Sequence, residues 1–245
     1  AFKPIEELYK FPPTLFVQNP TLNNFRDMFY LLNETTMPFL RYLFNTLFLT
    51  VFAAAGQIIL ASLCAYSLAK IPYPGSRFIF KMIIFSLMFE GTVTTVPRFI
   101  IYAKIGMIDT YWGMVMPALV STMGLYLMKQ FMQSTVPNEL LEAARIDGAS
   151  ELKLFFRIVM PLLKPAWFTL IILSIQNLWG QKSSNTYREV FKTLNEALTQ
   201  ISNGGIQRAG VSAAATLVML IIPITCFITM QSRIVDTMSS AGLKG

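Results

Sequence analysis

Five runs of apolar residues, at about 43–69, 78–101, 112–132, 165–180 and 211–230, constrain this 245-residue chain more than anything else in it. Each comes near the roughly 20 residues that an α-helix needs to cross hydrocarbon. The second is interrupted by Glu90, Thr92, Thr94, Thr95 and Pro97, and the fourth is short. A bilayer offers backbone groups no water, so such runs fold as helices that satisfy themselves. The expected fold is all-α, a polytopic transmembrane helix bundle with five spans in this stretch.

Composition agrees. Hydrophobic residues make up 54% of the chain and charged residues 13%, against roughly 25% charged in an ordinary soluble domain. With 14 Met and 20 Phe, the apolar surface exceeds what one water-soluble globule hides. A net charge of +7 invites a nucleic-acid reading, but the basic residues flank apolar runs without stacking aromatics. Loop placement and anionic lipid account for that charge, so membrane lipid is an expected partner and nucleic acid is not. Cys64 and Cys226 sit inside apolar runs, where a free Cys behaves as a small hydrophobe. With no His and two Cys, no metal-ligand pattern arises.

The stretch 1–42, with Pro4, Pro12, Pro13 and Pro20, is too polar to span and reads as an extracytoplasmic segment. Five spans with an inside C-terminus put residue 1 outside, so a sixth span is expected to precede it. Residues 43–245 form the transmembrane domain, with a cytoplasmic loop at 133–164, an outer loop at 182–210 and a cytoplasmic tail at 231–245. Basic residues divide evenly between the two sides, so orientation leans on their density alone. In the outer loop, Val190, Phe191, Leu194, Leu198 and Ile201 give a helical alternation over 187–201 that ends at the turn Asn203-Gly204-Gly205. In the first span, Ala53, Ala54, Ala55, Gly56, Ala61 and Ser62 form a stripe suited to close helix packing.

The loop at 133–164 holds more than a reversal of direction needs. Ser134 or Thr135 can cap a helix with Pro137 in its first turn, and Leu140, Leu141 and Ala144 then share a face. Gly148 is placed to end it in a left-handed conformation. Ser150 can start a second helix carrying Leu152, Phe155, Phe156 and Val159, which Pro161 and Pro165 break. One reading is a loop helix lying on the membrane surface. The other is a docking helix, whose small Ala143 and Ala144 admit a groove while Glu142 meets an Arg or Lys across it.

The string Glu142-Ala143-Ala144, then Gly148, Ile158, Met160 and Pro161, resembles the signature loop of permease subunits in binding-protein-dependent ATP-binding-cassette (ABC) importers. Met160 stands where that family usually has Leu. The longer string from Glu142 to Ser150 is similar to the carbohydrate-uptake, maltose-type branch. This resemblance implies a coupling helix that fits a cytoplasmic ATPase, with Glu142, Ala143, Ala144, Arg145, Asp147, Gly148 and Pro161 as its docking residues. It also implies a homologous second permease, two ATPase subunits and an extracytoplasmic solute-binding protein that meets Asn203, Gly204 and Gly205. Alternating access would be driven from the ATPases, in a bacterial or archaeal cytoplasmic membrane.

The chain itself is not expected to be an enzyme. Gly205 and Gly210 have P-loop spacing, but Val211-Ser212 follows where Lys-Ser/Thr is needed. ATP and Mg are therefore expected on partner subunits, with no cofactor held here. Polar groups within spans are costly and tend to face a cavity, which nominates Glu90, Thr94, Thr122, Tyr126, Gln176, Asn177 and Trp179 for the translocation path. Hydrogen bonding between helices is the plainer role for each. The solute implied by the resemblance is a sugar or oligosaccharide. The alternatives are a peptide or glycerol phosphate ester carried by the same machine, or a channel or secondary transporter not driven by ATP.

Overall fold

In the computed structural model, residues 1–12, 14, 16–88, 91–182, 185–203, 205 and 208–242 are described. Among them there are helices and no strands. Two short helices come first, α1 (Ile5–Leu8) and α2 (Asn23–Asn33), followed by the long α3 (Phe39–Lys70). Next come α4 (Ser76–Ser86), α5 (Gly91–Lys104), α6 (Tyr111–Ala118), α7 (Thr122–Thr135) and α8 (Asn138–Ile146). A helical elbow follows, made of α9 (Glu151–Leu154), a π-turn (Phe155–Val159) and α10 (Met160–Leu162), and it leads into α11 (Lys164–Trp179). A 3₁₀ turn (Glu189–Phe191), α12 (Leu194–Ser202) and α13 (Ala209–Gly242) complete the chain.

The five expected spans take three forms. Among the described residues, only α3 and α13 are continuous helices long and apolar enough to cross a bilayer. The expected span at 112–132 is the pair α6 and α7, bent by 42°. That at 165–180 is α11, which continues from the elbow after a 79° bend. The one at 78–101 is not a single helix: α4 ends at Ser86 and α5 begins at Gly91, with Glu90 outside the described residues. Among the described residues, two helices are long and apolar enough to cross a bilayer, or up to four if each bent pair is one span, against the expected five.

Helix α3 is the central post, packed against α7, α11 and α6. Three buried layers stack along it. The first joins Met28, Leu32, Tyr42, Leu194, Leu198 and Ala214. The second joins Leu49, Ala53, Met114, Val115, Ala118 and Leu178. The third joins Ala65, Tyr66, Met128, Met132, Leu141 and Phe155. Of the small-residue stripe, Ala53, Ala54, Ala61 and Ser62 are buried within the chain and Ala55 is exposed. A Cβ on Gly56 would lie 2.1 Å from Leu119 Cδ2, so Gly permits that close approach.

Prolines inside these helices free carbonyls that other elements recover. Pro223 removes the N–H that would bond Met219 O, and Trp179 Nε1 donates to that oxygen at 2.9 Å. Pro117 likewise frees Gly113 O, which accepts from Asn185 Nδ2 at 3.2 Å. The outer loop is held by α3, where Asn45 Nδ2 donates to Val190 O and Lys192 O and Thr46 Oγ1 accepts from Leu194 N. The helix expected over 187–201 starts only at Leu194. Thr193 and Glu196 form a reciprocal cap there, which sets a start that hydrophobic periodicity does not.

Candidate functional site

The loop between α7 and α11 is built around a short helix bolted to α3 at both ends. At its start, Lys70 Nζ donates to Val136 O at 2.6 Å and to Asn138 Oδ1 at 2.8 Å. The N-cap is Pro137, with no side-chain cap. Ser134 and Thr135 do not cap it: both belong to α7, and Ser134 Oγ bonds back to Gln130 O and Phe131 O. Helix α7 therefore runs up to Thr135, and Val136-Pro137 alone makes the corner.

The far end of α8 closes as expected. Gly148 has φ +79°, its N–H bonds Arg145 O, and Ala149 N bonds Ala144 O. This paired closure needs a left-handed residue at Gly148, which an L side chain adopts with strain. Beyond it, Glu151 accepts from Arg145 Nε at 2.7 Å and from Tyr66 Oη on α3 at 2.5 Å. The Arg145 guanidinium, and then the Tyr66 hydroxyl, hold the Glu151 carboxyl below its usual range. Glu151 raises Arg145 in return. Arg145 is thus paired within the chain while its side chain stays 35% exposed.

The two leucines of α8 part company. Leu141 is buried in the layer with Tyr66, Met132 and Phe155, while Leu140 is exposed. The outward face holds Leu140, Glu142, Ala143, Ile146 and Asp147, with Ile146 86% exposed. Pro161 is exposed too and does not break its helix. The preceding π-turn absorbs the missing N–H, with Met160 N bonding Phe155 O, and the 79° bend falls after Leu162. Trp167 Nε1 returns to Met160 O at 3.2 Å and closes the elbow.

The residues nominated for the translocation path do not converge. Thr122 lies beside Ala61, Cys64 and Ile83, and Tyr126 stacks on Phe80 of α4. Gln176 and Trp179 line a cavity between α11 and α13, where Trp179 is buried and its Nε1 donates to Met219 O. Thr94 is exposed on α5, and Glu90 lies outside the described residues. Asn203 ends α12 and Gly205 has φ +89°, with Gly204 outside the described residues.

Of the described nominated residues, only Asn177 lines the cavity that α3 and α11 share with the break between α6 and α7. Buried Gln57 of α3 closes that break: its Nε2 donates to Ala118 O at 2.6 Å and its Oε1 accepts from Ser174 Oγ at 2.6 Å. Gln57 was visible in the sequence as a polar residue in a span, whereas Ser174, Ser121 and Gln181 carried no signal. Small hydroxyls and residues at helix ends are common in any span. These five surround a cavity of about 280 Å³.

Comparison with known proteins gives the class. Residues 36–239 match the family described as binding-protein-dependent transport system inner membrane component. The chain is 32% identical over 206 residues to the melibiose/raffinose/stachyose import permease protein MelC of Bacillus subtilis, covering 82% of this chain and 75% of that one. It is 33% identical over 166 residues to protein LplC of the same organism, covering 68% of this chain and 54% of LplC, so it spans little more than half of that relative. The fold is similar to a solved chain of a bacterial ABC transporter involved in the import of the acidic polysaccharide alginate. That match has a TM-score of 0.78 and 20% identity, and covers 94% of this chain and 86% of that one. A capped, solvent-facing helix between spans, an all-helical bundle and these matches together make the chain a member of the inner-membrane component family of binding-protein-dependent transport systems.

Proposed function

We propose that this chain forms one half of the translocation pore of an ATP-driven importer for sugars or oligosaccharides, with α8 as the helix that a cytoplasmic ATPase grips. The observation that carries this reading is the outward face of α8. Leu140 and Ile146 are exposed on a helix tied to α3 by Lys70 and by Arg145–Glu151–Tyr66. Apolar side chains held rigidly in that position suit a partner groove, and the small Ala143 between them lets it approach closely. Glu142 and Asp147 supply charge at its rim.

The route of force follows from the ties. A push on α8 reaches α3 through Lys70 and Glu151, and reaches the core through Leu141. A homologous second permease would complete the pore, two ATPase subunits would hold ATP and Mg, and a solute-binding protein would deliver cargo on the Asn203–Gly205 side. An uncharged solute is favoured over a phosphate ester, since no Lys or Arg is among the described residues lining the cavity at the α6–α7 break.

The test uses the assembled transporter in proteoliposomes. Gly148→Pro and Glu142→Lys should each abolish ATP-linked uptake while insertion into the membrane stays normal. Unimpaired uptake in both, or a purified complex with no stoichiometric ATPase, refutes the docking role.

A further inference from the structure

The cavity at the α6–α7 break has a composition that its structural duties do not require. Gln57 and Ser174 are 7% and 2% exposed and bond each other, and Gln57 also covers Ala118 O. That arrangement alone would mend the broken helix. Asn177 of α11 and Gln181, just past the end of that helix, line the same cavity; both are exposed, and their amides make no side-chain hydrogen bond among the described residues. Ser121 Oγ accepts from Gly124 N as a helix cap, which leaves its O–H to donate. The opposite wall is apolar, formed by Met123, Leu170 and Leu173.

We infer that this cavity is a saccharide subsite of this subunit, holding one uncharged sugar ring during passage. The inference rests on the importer reading and adds to it which half grips the solute, where, and with what charge preference. Two free amides and a hydroxyl offer both donors and acceptors, the pattern that a ring of vicinal hydroxyls matches, while the apolar wall meets its C–H face. A volume of about 280 Å³ is at the low end of ligand sites and admits one ring, not a chain of them. No Lys or Arg is among the described residues lining it, so a uronate carboxylate entering it would lose water and find no counter-charge there.

Equilibrium binding to the detergent-purified complex, in the absence of the solute-binding protein, tests this directly. Tritiated raffinose and maltotriose serve as neutral probes and dimannuronate as the acidic one. The wild-type complex should bind at least one neutral probe saturably, and dimannuronate at least tenfold more weakly. Asn177→Leu and Gln181→Leu should each weaken the neutral probe at least threefold, and the pair at least tenfold. Asn177→Gln should restore most of the affinity, and Gln130→Leu, exposed on α7 away from the cavity, should change nothing. If the double variant does not assemble, the single variants decide.

Unchanged affinity in Asn177→Leu and Gln181→Leu, tighter binding of dimannuronate, or no saturable binding of either neutral probe by the wild type overturns the inference. The docking reading fails on uptake and on ATPase co-purification, whereas this one fails on equilibrium binding. The two outcomes are therefore separable.

Discussion

Among the described residues two apolar helix pairs are sharply bent, and the bends are held in opposite ways. The 79° elbow after Leu162 is satisfied from its own neighbourhood: Leu163 N bonds Val159 O, Trp167 N bonds Leu163 O, and Trp167 Nε1 bonds Met160 O. The 42° break between α6 and α7 borrows from afar. Its Ala118 O is met by Gln57, 61 residues away, and nearby Gly113 O by Asn185, 72 residues away. A local bend survives as long as its own segment folds. A borrowed one depends on the assembled bundle, so polar side chains spent on it are part of the fold as well as of any path through it.

The largest expected effect tests the borrowed bend. Gln57→Leu orphans Ala118 O and removes the partner of Ser174, and each buried group left unsatisfied costs about 1–3 kcal/mol. The complex should lose roughly 2–4 kcal/mol in denaturant unfolding followed by gel filtration. Normal stability would mean that water or lipid relieves the break. A smaller loss, about 1–2 kcal/mol, is expected for Trp179→Phe, which keeps most of the ring's packing but leaves Met219 O without its donor.

Next comes a pH effect at the elbow. Glu151 has a folded pKa below its unfolded value, so its contribution is fully present above the ordinary carboxylate pKa of about 4.3 and is lost as pH falls through the lowered folded value. Hydrogen exchange over 138–151, corrected for intrinsic rates, should therefore lose protection only at acidic pH. Glu151→Gln should be less protected at neutral pH and should lack that step. Retention of the step would assign it to another group. The smallest effect belongs to Pro161→Ala, expected within about 0.5 kcal/mol, because the bend lies beyond it and the π-turn already accommodates the missing donor. A large loss would show that Pro161 sets the elbow.

Much of the candidate site was legible in the sequence because its signals are local. Gly148 is left-handed as its position between two helices required, and Ala143 lies outward on α8. The errors are also instructive. Ser134 and Thr135 have the chemistry of caps, yet α7 extended through them, since a side-chain cap competes weakly with continuing a helix already under way. Arg145 has the charge for a partner, but Glu151 and Tyr66 lie closer. The list of path residues mixed several separate environments, because polarity within a span reveals cost and not direction.

Apolar run length, the Gly148 stop and the Glu142 string were enough to set helical class, membrane character and family, since each depends on residues a few positions apart. Which runs stay straight, which carbonyls lose their donors and which amides remain open to a ligand are decided in the bundle. There Gln57, Trp179 and Asn185 meet backbone from distant helices. Desolvation makes every unpaired group expensive, so partners are chosen by three-dimensional proximity, a quantity that the order of residues does not contain.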